Sequence, residues 1–136
     1  MEDEPRFVYV DDDLTSREVM ELLLTHRLGL IQCQMYDNSA TFAEEIDSFA
    51  QSPTVIFIDI HMHPYNGFDL LKMLRNNELF VDTMIIAVTA SVMNEEVERL
   101  KETGFDGAIG KPIDPDEFPN LVQKILNKEQ VWHVSS

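Results

Sequence analysis

Four apolar runs in this 136-residue chain each stop at a residue that can do chemistry. Phe7-Val8-Tyr9-Val10 stops at Asp11-Asp12, with Asp13 beside them, and Val55-Ile56-Phe57-Ile58 stops at Asp59. Met84-Ile85-Ile86-Ala87-Val88 stops at Thr89, and Gly107-Ala108-Ile109-Gly110 at Lys111, which precedes Pro112. Adjacent carboxylates repel unless a cation joins them, and oxygen-only ligation by a few carboxylates suits Mg2+. A carboxylate such as Asp59 can be a third ligand or a nucleophile toward phosphorus, since carboxylates form aspartyl-phosphates. A metal beside it would screen its charge against an anionic donor. A threonine hydroxyl can donate to a phosphoryl oxygen, and a lysine ammonium is a compact charge that pairs with phosphate. Pro112 makes a cis peptide available that would fix the direction of Lys111. Each signal is common alone: an Asp after a strand caps the next helix as readily as it binds metal. Their order, one at each strand end, carries the reading.

For these residues to meet, the runs must be parallel strands of one sheet, whose C-terminal ends share an edge where α/β sheets bind ligands. The segments between them have helical periods. Thr15-Ser16-Arg17-Glu18 has the pattern of a capping box, with Val19, Leu22, Leu23 and His26 following on one face. Ile31 to Tyr36 reads as a second strand, and Ser39 as the cap of a helix with Phe42, Ile46 and Phe49 inward. Gly67 opens a helix with Leu70, Leu71 and Leu74 inward. Val92 to Thr103 forms another, with Met93, Val97 and Leu100 as its stripe and Gly104 as its stop. Asp114-Pro115-Asp116-Glu117 starts the last, whose apolar face is Leu121, Val122, Ile125 and Leu126. Pro119 falls inside it, so that helix starts near Phe118 or is kinked. Strands alternating with helices imply right-handed crossovers and an α/β, doubly wound parallel sheet of five strands and five helices. Val131-Trp132-His133-Val134 alternates like a short strand but reads as a loose tail, giving a domain over residues 1–128 and a tail over 129–136.

An apolar content of 44% in 136 residues suits one domain with one core. The net charge of −15 speaks against nucleic acid and against anionic membrane surfaces, both of which need a basic face. It suits cation binding or a basic patch on a partner protein. Cys33 is the sole cysteine, so no intrachain disulfide forms, and it reads as a small strand residue. Met1-Glu2-Asp3-Glu4-Pro5 is no signal peptide and no segment is long enough to cross a bilayer, so the cytoplasm is the expected compartment. His61 and His63 would share a face in extended chain, but zinc needs three or four ligands and no further His or Cys is evident. The seven methionines are scattered and read as core filler.

Over about residues 6–127 the chain resembles the receiver domain of two-component response regulators. Phe7 to Asp12 matches that family's first strand and acidic pair, Ile56-Phe57-Ile58-Asp59 its phosphoacceptor strand, Val88-Thr89-Ala90 its switch hydroxyl, and Lys111-Pro112-Ile113 its lysine. The resemblance implies a flavodoxin-like sheet of order 2-1-3-4-5. It implies that Asp59 takes a phosphoryl group from a histidine kinase or histidine phosphotransfer protein. Mg2+ would be held by Asp12, Asp59 and the backbone carbonyl of His61, with Asp11 helping through water. Lys111 would pair with the transferred group, and Thr89 would move toward it. That movement would bias the face of helix four, strand five and helix five, which contacts a downstream target protein and is the family's usual homodimer face. Water would then reset the switch, with no other enzymatic activity. Within these residues no output domain fits, so a stand-alone receiver without DNA binding is expected. His61 would line the entrance to the acyl phosphate. The loop His61-Met62-His63-Pro64-Tyr65-Asn66-Gly67 places its proline one residue late. Ala108 stands where the family has an aromatic, so output would rely on backbone shifts. The rivals are a pseudo-receiver, which is a constitutive interaction module without phosphorylation, and a phosphoester hydrolase, for which no general acid or cap domain is evident.

Overall fold

Every one of the four apolar runs is a strand, and each is buried on both faces, as parallel strands covered by helices must be. The computed structural model describes residues 4–29, 33–90 and 93–134. Its strands are β1 Phe7–Val10, β2 Cys33–Tyr36, β3 Val55–Asp59, β4 Met84–Thr89, β5 Gly107–Gly110 and β6 Val131–His133. The α-helices are α1 Leu14–Leu22, α2 Ser39–Glu45, α3 Gly67–Arg75, α4 Asn94–Thr103 and α5 Phe118–Leu126. All strands run parallel, in the order β2-β1-β3-β4-β5-β6. Of the expected second strand, Ile31 and Gln32 lie outside the described residues, as does Val92 of the expected fourth helix.

The sheet therefore has six strands and not five. Val131–His133 is no loose tail: it pairs with β5 at Gly107↔Val131, Ala108↔Trp132 and Ile109↔His133. The reason lies in β5 itself. A Cβ on Gly107 would sit 2.3 Å from the Val131 carbonyl oxygen, so only a glycine lets the sixth strand close. Val131 is then buried beneath α5.

Alternation divides the core into two layers. Val8, Val10, Ile56, Ile58, Ile85, Ala87 and Ala108 face α2, α3 and α4, where Phe42, Leu70 and Leu100 meet them. Phe7, Tyr9, Val55, Phe57, Ile86, Val88 and Ile109 face α1 and α5, meeting Met20, Leu24, Phe118 and Ile125.

Helix starts depend on which polar side chain wins the cap. Asp13, not the Thr15 box, caps α1: its carboxylate accepts from the Ser16 backbone N–H at 2.9 Å and from the Ser16 hydroxyl at 2.7 Å. With that start, and a wider π-helical turn over Leu23–Arg27, the inward residues become Met20, Leu23 and Leu24. Val19, Leu22 and His26, expected inward, are exposed. Asn38 caps α2, and Ser39 becomes its first residue. In α4, Leu100 is buried and Val97 partly so, but Met93 is the exposed cap residue. Gly104 ends α4 at φ +107°, a left-handed conformation that favours glycine. α5 begins at Phe118, so Pro119 sits in the first turn, where its missing N–H costs no helical bond.

Candidate functional site

β1 and β3 are paired in register up to Val10↔Ile58, which puts Asp11 and Asp59 at adjacent strand tips. β4 pairs with β5 up to Thr89↔Gly110, so Lys111 leaves the sheet beside Thr89, and its N–H donates to the Thr89 carbonyl at 2.8 Å. The chain thus brings residues 11, 59, 89 and 111 to one edge. The Lys111 ammonium donates to Asp11 Oδ2 at 2.8 Å and to Asp59 Oδ1 at 3.1 Å. One carboxylate oxygen from each of Asp11, Asp12 and Asp59 lies within 4.8 Å of the others, the only such cluster of metal-ligating side chains among the described residues. Asp11, Asp59 and Thr89 are buried, while Asp12 is exposed. His61 and His63 form no such cluster; both are exposed, and His61 Nε2 approaches Glu96 Oε1 of α4 at 3.4 Å.

Burial shapes the charges. Burial raises the Asp59 carboxyl above the ordinary carboxylate range, the Asp11 charge adds to the rise, and Lys111 opposes it. Lys111 is also desolvated, which alone would weaken its charge, but Asp11 and Asp59 outweigh this and hold the ammonium above its usual range. Tyr9 remains a phenol, because burial and then Asp11 push its pKa up, and it donates to Asp11 Oδ2. Asp11 also accepts the Asp13 backbone N–H at 2.9 Å, and Arg17 donates to the Asp11 carbonyl at 2.8 Å. Tyr9 is a supporting residue that motif reading passes over. Its signal is alternation, since residues two apart on a strand share a face.

The loop after β3 holds the tip of that strand tightly. Ile60 and Met62 point into the core, and the Gly67 N–H donates to the Ile60 carbonyl at 2.9 Å. A Cβ on Gly67 would meet the Ile60 side chain at 2.6 Å and the Asp59 carbonyl oxygen at 3.2 Å. Asn66 caps α3 reciprocally with Asp69. The His63–Pro64 and Lys111–Pro112 bonds are both cis. Cys33 takes no part: it lies on β2, away from these strand tips, and burial pushes its thiol up to about 12. No helix among the described residues is long and apolar enough to cross a membrane.

Three carboxylates facing one ammonium leave excess negative charge, and their donor set is all oxygen. The residues present therefore fit a hard divalent cation such as Mg2+. The model of the response regulator receiver domain matches residues 7–123. The chain belongs to this family. Receiver domains serve two-component signal transduction and work with histidine kinases and phosphotransfer proteins. Stress response regulator protein 1 of Lodderomyces elongisporus is 25% identical over 127 residues, covering 92% of this chain, which spans only 34% of that protein. Chemotaxis protein CheY1 of Helicobacter pylori is 27% identical over 121 residues, covering 89% of this chain and 96% of that one. The receiver domain of sensor histidine kinase PA1611 from Pseudomonas aeruginosa superposes with a TM-score of 0.78 at 19% identity, covering 92% of this chain and 99% of that one. That domain was solved with a magnesium ion coordinated in its active-site cleft.

Proposed function

We propose that this receiver accepts a phosphoryl group on Asp59 from the phosphohistidine of a histidine kinase or phosphotransfer protein, and signals through phosphorylation-dependent contacts with a downstream protein. One observation carries the reading: a single ammonium, Lys111, within hydrogen-bond distance of both Asp11 and Asp59 at adjacent strand tips.

In the transfer, a carboxylate oxygen of Asp59 attacks phosphorus in line. The new O–P bond forms as the P–N bond breaks, and the electron pair stays on the imidazole nitrogen. Asp12, Asp59 and the His61 carbonyl would hold Mg2+, with Asp11 helping through water, and the bound ion would neutralise charge that opposes the attack. Lys111 shifts from the Asp59 carboxylate to the phosphoryl oxygens. Asp11, fixed by Tyr9 and the Asp13 N–H, keeps the ammonium in place meanwhile. Thr89 donates a hydrogen bond from its hydroxyl to a phosphoryl oxygen and shifts toward it, which biases the surface at α4, the β5–β6 edge and α5. Hydrolysis of the acyl phosphate by water restores Asp59.

The test is intact-protein mass after incubation with acetyl phosphate and Mg2+. Wild type should gain one phosphoryl group and Asp59→Asn none. A folded wild type that neither gains mass nor binds Mg2+ would overturn the proposal and leave a constitutive interaction module.

A further inference from the structure

Ala87, Ala108 and Trp132 lie side by side across β4, β5 and β6. Side chains two apart on a strand share a face, so Thr89 stands on the face of Ala87, and Gly110 on that of Ala108. Thr89 pairs with Gly110. Between Thr89 and Trp132, that face of the sheet carries nothing larger than a methyl group. The Trp132 ring packs against the core layer that contains Ala108 and Leu100, and the Lys101 ammonium of α4 lies 5.3 Å from its centroid. Its indole N–H donates to Gln130 Oε1 at 3.3 Å, a bond within its own segment. The ring is only partly buried, so an inward shift would take it further from solvent.

We propose that Trp132 is the reporter of the switch in this chain: a tryptophan brought by β6 to the side of Ala108, which moves inward when Thr89 is drawn toward a phosphorylated Asp59. The proposal rests on the phosphoacceptor reading. Ala108 offers no ring of its own to answer that movement. Trp132, in register beside it, answers from the neighbouring strand. Because the ring also contacts Lys101, its inward shift loosens the join between β6 and α4. The surface that differs between the two states is then the β6–α4 seam, and a partner that distinguishes them reads that seam.

Trp132 is the only tryptophan, so the fluorescence of the full chain reports this ring alone. The experiment follows tryptophan emission, acrylamide quenching and intact mass in the same sample, on addition of acetyl phosphate and Mg2+. Wild type should show a blue shift and weaker quenching in step with the phosphorylated fraction. Thr89→Ala, compared at equal phosphorylated fraction, should show neither. A wild type that gains the phosphoryl group with unchanged emission and quenching overturns the inference and leaves Asp59 as phosphoacceptor. Thr89→Ala that keeps the full shift also overturns it. A folded wild type that neither gains mass nor binds Mg2+ overturns both readings together.

Discussion

The tips of β1 and β3 and the outer edge at β6 belong to one sheet but are assembled on opposite terms. At the tips, buried Asp11 and Asp59 and exposed Asp12 crowd around one ammonium, and the Asp59 carboxyl is raised because its charge is unwelcome there. At the edge, Gly107 and Ala108 are shaped to receive Val131 and Trp132, and no charge is buried. The tips hold repulsion that a bound cation would relieve, at the expense of stability without it. The edge is satisfied by packing, so it can move only when its neighbours do.

Asp59→Asn separates the two most sharply. Phosphoryl uptake should vanish by intact mass, while removal of a buried charge should raise the melting temperature by a few degrees, as expected for a change of about 1 kcal/mol. A lowered melting temperature would mean that the tips are not under repulsion. Lys111→Ala takes away the compensating charge. Uptake should slow by about 10²-fold, the usual cost of losing one stabilising donor. Stability in urea should fall by about 1–3 kcal/mol, because two carboxylates lose a buried partner.

Gly107→Ala strikes the other region. The new methyl group collides with the Val131 carbonyl, so β6 should part from β5 and the Trp132 emission should move to the red. The loss of stability should be about 1–3 kcal/mol, with uptake at Asp59 retained. Loss of uptake as well would show that edge and tip cannot be separated. Asn66→Ala removes the reciprocal cap with Asp69 and should lower stability by about 1 kcal/mol in a thermal melt.

The smallest effect is the pH dependence. A folded-state carboxyl pKa above the unfolded value means that the folded protein binds more protons between the two. The stability advantage of Asp59→Asn is therefore full at neutral pH and shrinks as pH falls through the raised Asp59 pKa toward the ordinary carboxylate value. Melts of both proteins across the acid range check this.

The chemistry-bearing residues could be read directly because each is local to the end of an apolar run. An apolar run four to six residues long is a strand by pattern, its last residue lies at the C-terminal edge, and helices between such runs force the strands parallel. Asp11, Asp59, Thr89 and Lys111 needed nothing more than that. Helix faces were harder. Asp13 and Thr15 both can cap α1, and once Asp13 prevails and the helix widens at Leu23, the inward face moves off Val19 and Leu22. Tyr9 behind Asp11 and Glu96 beside His61 depend on how side chains meet across the fold.

The sequence by itself determined the strand runs, the parallel topology they require and the polar residue at each tip, because all three follow from short-range pattern and from burial. Only the tertiary structure decided that Val131–His133 completes the sheet and that Trp132 lies beside Ala108. A short alternating segment does not name its partner. The vacant side of Gly107, which no local pattern couples to Val131, selects it.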